Sequence, residues 1–161
     1  MADGPIVNIK DIKYMDFGDG GKFEAKFGRV SPVIGAKQLG YNVTKVPPGK
    51  RAFPYHLHHT NEEMFFILEG SGTLRYKDKE YPIKKGDFIA CPAGPGTARQ
   101  IINTSDKEIS YLALSTEINP EVAEYPDSGK IGVFCGKFEN PDLRILVKKD
   151  SGVDYFDGES D

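Results

Sequence analysis

The chain has 161 residues, 39 % hydrophobic and 28 % charged, with a formal net charge of −3, the make-up of one ordinary globular domain. That balance leaves no basic stripe for nucleic acid, and no apolar run approaches the ~20 residues that cross a bilayer. The opening Met1-Ala2-Asp3-Gly4-Pro5 lacks the basic and apolar regions of a secretory signal. The expectation is therefore a cytoplasmic protein without nucleic-acid or membrane partners, built as a single domain over residues 1–161.

Eighteen glycines and eleven prolines, with no long helical periodicity, predict many short strands joined by tight turns. Residues 1–35 hold weak strand signals around the turn Gly18-Asp19-Gly20-Gly21, which lacks the Lys-Ser/Thr ending of a phosphate-binding loop. A strand is predicted over 38–46 and stopped by Pro47-Pro48-Gly49. Further strands are predicted over 52–58, 64–68, 73–76, 80–83, 88–91, 97–103 and 109–115, with Gly70-Ser71-Gly72, Lys77-Asp78-Lys79 and Thr104-Ser105-Asp106-Lys107 as turns. Strands at such regular spacing point to an all-β closed barrel or jelly roll, which protects sheet edges. Residues 119–136 read as a Pro- and Gly-rich wrap around the barrel, an irregular C-terminal extension. Residues 150–161 read as a mostly solvated acidic tail docked by Val153, Tyr155 and Phe156.

All three histidines, His56, His58 and His59, fall within four positions, and Glu62 and Glu63 follow at once. Side chains alternate across a strand, so His56 and His58 share a face while Leu57 points away. Glu63 opens the next strand and can return a carboxylate across the hairpin. Imidazole with carboxylate suits iron, manganese, nickel or zinc. His59 has the opposite parity or belongs to the turn. Read alone, the cluster is either a metal site or a polar strand end. Cys91 and Cys135 match no zinc spacing and read as small buried hydrophobes.

The spacing Gly49, His56-x-His58, Glu63, Gly70 closely resembles the first motif of the cupin superfamily. A second motif follows in Gly86-Asp87, Pro92-Ala93-Gly94 and Asn103. The resemblance covers residues 49–115. The stretches Glu124-Tyr125-Pro126-Asp127-Ser128-Gly129-Lys130 and Asp154-Tyr155-Phe156-Asp157-Gly158-Glu159 are similar to a group of small bacterial cupins labelled sugar-phosphate-isomerase-like or auxin-binding-like. It implies the double-stranded β-helix (jelly-roll barrel), a divalent metal ion on His56, His58 and Glu63, and a homodimer.

The family's fourth ligand, a histidine four residues before the closing asparagine, is here Arg99; counting from Gly94 instead places Thr97 there. Arginine stays protonated and offers no lone pair. Two outcomes follow. Either His56, His58 and Glu63 form a facial triad while Arg99 binds the phosphate or carboxylate of a small anionic molecule, or Arg99 pairs with Glu63 and replaces the cation. The first makes the chain a small cupin of the sugar-phosphate isomerase kind, with Glu62 as the catalytic proton carrier, though the same triad suits iron(II) and oxygen. The second makes it a non-catalytic small-molecule-binding cupin without metal.

Overall fold

Apolar and polar side chains alternate along most of these segments, sending successive residues to opposite faces. The computed structural model describes residues 4–137 and 140–159. In chain order the strands are β1 (Tyr14–Gly18), β2 (Glu24–Arg29), β3 (Leu39–Val46), β4 (Leu57–His58), β5 (Glu63–Glu69), β6 (Ser71–Tyr76) and β7 (Lys79–Lys84). They continue with β8 (Phe88–Cys91), β9 (Arg99–Ile102), β10 (Ile109–Thr116), β11 (Glu121–Tyr125), β12 (Lys130–Lys137) and β13 (Asn140–Lys148). Helix among the described residues is one turn at Ser31–Ile34 and two 3-10 turns.

The strands form three antiparallel sheets, ordered β1-β2-β3-β10-β5-β8, β7-β6-β9 and β13-β12-β11-β4. This is the all-β jelly-roll architecture that the turn spacing predicts. Phe65 and Ile67 of β5 share one parity and both lie in the core, beside Val46, Ile89, Cys91, Ile101, Ile109 and Tyr111. Each large side chain so buried contributes roughly 1.5–3 kcal/mol. Tyr111 meets Phe65 edge to face at 5.7 Å between ring centroids.

Two turns lock the register. Gly70 links β5 to β6 at φ +83°, and a Cβ there would lie 2.5 Å from the Glu108 carbonyl oxygen, so no other residue fits without moving the backbone. Asn103 is fully buried; its amide donates to Val46 O and Lys107 O, each at 2.7 Å, while its Oδ1 accepts from Ser105 N at 3.0 Å and Ser105 Oγ at 2.8 Å. Asn103→Ala would remove the amide that bonds the buried Val46 carbonyl and ties it to the Lys107 turn, and is expected to lower unfolding free energy by about 2 kcal/mol, read from urea denaturation.

Three expectations need correction. Of the strand predicted over 52–58, only Leu57–His58 is regular; Pro54 has no N–H to give a ladder, and His56 joins Arg99 by a single bridge. The segment predicted as an irregular wrap instead supplies β11 and β12, continued by β13, because Ile131 and Val133 stand opposite Val147 and Ile145. The tail aromatics do not dock: Val153, Tyr155 and Phe156 remain 77 %, 87 % and 73 % exposed, the two rings meeting each other at 4.9 Å.

Candidate metal and anion site

The site lies where the short β4, the start of β5 and the start of β9 converge inside the barrel. His58 comes from β4, Glu63 and Arg99 are the first residues of β5 and β9, and His56 is held opposite Arg99 by mutual backbone hydrogen bonds of 3.2 and 2.8 Å. His56, His58 and Glu63 each present one ligand atom, all within 4.8 Å of one another. His59 is turned away and bonds Glu124 through Nε2 at 2.8 Å, in keeping with its opposite parity. Glu62 is exposed; the fold does not gather it with the others.

The two imidazoles are held differently. His56 Nδ1 lies 2.7 Å from the Pro54 carbonyl oxygen; a carbonyl only accepts, so Nδ1 carries the hydrogen and the Nε2 lone pair stays free. Burial, outweighing the attraction of Glu63, pushes the His56 pKa down to about 4, so the ring is neutral near pH 7. His58 places Nε2 3.7 Å from Glu63 Oε1 and Nδ1 3.7 Å from Glu121 Oε1, distances of electrostatic contact rather than hydrogen bonding.

Arg99 dominates the electrostatics. It is 1 % exposed, and its Nε and Nη2 both donate to Glu63 Oε2, at 3.1 and 2.5 Å. Burial would raise the Glu63 pKa, but the Arg99 charge and the two imidazoles outweigh it and hold the carboxyl below its ordinary range. Glu63 Oε1 is left facing His58. Arg99 Nη1 is buried and has no hydrogen-bond partner among the described residues. Arg99 also borders a cavity of about 20 Å³ shared with Phe53, His56, Phe65, Gln100, Ile101 and Tyr111.

Two imidazoles and one carboxylate, each presenting one ligand atom, fit an iron, manganese, nickel or zinc ion with open positions. Cys91 is not a nucleophile here: burial in the core pushes its thiol up to about 12, so it stays an inert core residue.

The sequence reading missed Glu121, Asn61 and Tyr125. Glu121 accepts from the backbone N–H of His59 at 3.0 Å, Thr60 at 3.3 Å and Asn61 at 2.8 Å, fastening the loop between the histidines and Glu63. Asn61, itself buried, bridges Glu121 to β10 and its exit: its amide donates to Glu121 Oε2 and to Ile118 O at 3.0 Å, and its Oδ1 accepts from Thr116 Oγ1 at 2.8 Å. Tyr125 stacks on His56 with ring centroids 6.1 Å apart. For Glu121 and Tyr125 the sequence signal is the alternation Glu121-x-Ala123-x-Tyr125, which sends both to one face of β11.

Residues 42–115 match the family model described as a cupin domain. The chain is 36 % identical over 70 residues, 44 % of its length, to an uncharacterized protein of Methanocaldococcus jannaschii, covering 54 % of that protein. It is 34 % identical over 70 residues, again 44 % of its length, to a protein of Thermotoga maritima named oxalate-binding protein, covering 55 %. The match thus spans about half the length of these curated relatives. In architecture it is similar to a crystal structure named sugar phosphate isomerase from a cupin superfamily, of Silicibacter pomeroyi, with a TM-score of 0.78 and 23 % identity over 91 % of this chain and 94 % of that one.

Proposed function

This chain belongs to the cupin superfamily, and on that premise we propose that it binds a divalent transition metal ion together with a small anionic molecule. His56, His58 and Glu63 are the ion's ligands, and Arg99 receives the phosphate or carboxylate of the anion. The observation that carries this reading is the convergence of three free donor atoms beside the unpartnered Nη1 of a buried arginine. The names of the Thermotoga relative and the Silicibacter neighbour both refer to small anions, which supports the ligand class.

The finer reading is an isomerase of the sugar-phosphate kind. A bound ion supplies carbonyl polarisation in such chemistry, and a carboxylate must move the proton. Glu62 is the proposed carrier; because it is exposed, it serves a substrate that projects towards the rim, with its anionic end on Arg99. A non-catalytic, metal-free binder is the second reading. The closed Arg99–Glu63 ion pair favours it, since Glu63 is already neutralised.

Metal content by mass spectrometry, on protein purified without chelator, separates the two. The expected result is near-stoichiometric iron, manganese, nickel or zinc, lost at least tenfold in Glu63→Gln and His58→Asn. A wild-type protein that is metal-free and refuses added ion would leave only the second reading.

A further inference from the structure

We infer that the site binds its ion and its anion as a pair, each with low affinity until the other is present; this rests on the metal reading above. Charge and free hydrogen-bonding capacity lead to the same conclusion.

With an ion bound the histidines ligate as neutral imidazoles, so the charged side chains around the ion are Arg99, Glu63 and Glu121, the last with Oε1 3.7 Å from His58. Those three sum to −1, and a dication converts the site to +1 with the guanidinium one carboxylate away. Like charges that close inside a barrel repel strongly, since little water screens them. Adding an anion restores balance.

Arg99 also leaves a defined place for that anion. Two of its N–H groups are spent on Glu63 Oε2, which confines Glu63 to offering Oε1 alone. Its Nη1 is 99 % shielded along with the rest of the side chain and unpartnered, and a buried donor without a partner costs free energy until something accepts from it. The adjoining cavity of about 20 Å³, bordered by Arg99 and His56, admits one oxygen atom. Its other walls are Phe53, Phe65, Ile101, Tyr111 and Gln100, the last with its amide already donating to Phe53 O at 2.8 Å. The ligand therefore carries at least two oxygens, one accepting from Arg99 Nη1 and another completing the ion's shell. Oxalate presents them on adjacent carbons and phosphate on one phosphorus.

Linkage makes the test quantitative, because the factor by which the anion tightens the ion must equal the factor by which the ion tightens the anion. Mn²⁺ binding to the wild-type full chain is measured by equilibrium dialysis at buffered free-ion concentrations, in chloride alone, with saturating oxalate, and with saturating inorganic phosphate. Oxalate and phosphate binding are then measured with and without Mn²⁺ by calorimetry. At least one anion is expected to tighten Mn²⁺ tenfold or more, with the same factor in reverse, and the arm that responds identifies the oxygen arrangement. In Arg99→Gln, checked for folding by circular dichroism, the factor is expected to fall towards one; Arg99→Lys keeps the charge and retains part of it. Equal Mn²⁺ affinity in all three wild-type arms would overturn the paired binding and leave the metal reading standing. No Mn²⁺ binding in any arm would overturn both.

Discussion

Arg99→Met is expected to destabilise the fold by about 3 kcal/mol, the low end of what removing one partner of a buried ion pair costs. Methionine fills most of the arginine's space, so the loss is electrostatic. Glu63, 17 % exposed, would keep its charge with only two imidazoles nearby, or take up a proton and surrender the attraction that holds its pKa down. Two comparisons isolate the cause. Arg99→Met with Glu63→Leu is expected to recover most of the loss, since no uncompensated charge remains. Saturating Mn²⁺ is expected to raise the melting temperature of Arg99→Met more than that of wild type, because the ion takes over the guanidinium's role towards Glu63. Urea denaturation supplies the free energies. A single-variant loss below 1 kcal/mol, or a double variant no better than the single, would rule out the ion pair as a major support of this end of the barrel.

Glu121→Gln is expected to cost about 3 kcal/mol near pH 7, and the cost is expected to vanish in acid. Burial alone would raise the Glu121 pKa; the facing His58, the Thr60 N–H and the Asn61 amide outweigh it and hold the carboxyl at about 2, against an ordinary value of 4.5. A depressed acid stabilises the folded chain fully above its ordinary value, and that stabilisation is lost as pH falls from 4.5 towards 2, at about 1.4 kcal/mol per pH unit. The difference between wild type and Glu121→Gln should therefore be flat from pH 7 to 5 and shrink below 4.5. A difference independent of pH down to 3 would mean that shape and hydrogen bonding, rather than charge, hold the loop. Because the same carboxylate fastens His59, Thr60 and Asn61, the variant is also expected to weaken ion binding at His58 without touching a ligand.

The barrel was legible because its signals are local. Turn residues at short intervals and two-residue alternation put Phe65 and Ile67 inside, and the same parity put His56 and His58 together and His59 elsewhere. Position 99 was legible as a departure, and of the two roles considered for it the structure shows the pairing with Glu63, made through Nε and Nη2, while Nη1 has no hydrogen-bond partner among the described residues. Glu121 and Tyr125 were not legible. They lie some 60 residues from the loop they serve, in a segment whose prolines and glycines hide a five-residue strand, and nothing in a single sequence ties Glu121 to the N–H groups of residues 59–61. The β12–β13 hairpin was missed for a related reason. Its apolar side chains stand opposite one another across the pair, and Leu143, Ile145 and Val147 remain 40–42 % exposed, so burial was a poor guide to where strands form. The tail misled in the opposite direction, since aromatic residues suggested docking where the rings pack only on each other.

The bridge that sets Arg99 against His56 bears on how such sites change over generations. It is made by backbone atoms alone, N–H to carbonyl in both directions, so its geometry does not depend on which side chain stands at position 99. In the genetic code the arginine codons CGU and CGC differ from the histidine codons CAU and CAC by one base. A lineage carrying either can pass, in one mutation, between a barrel with three protein donors and a guanidinium and a barrel with a fourth imidazole on the same scaffold. Exchange between a guanidinium and an imidazole opposite His56 is thereby one base change away, on a bridge that backbone atoms alone make.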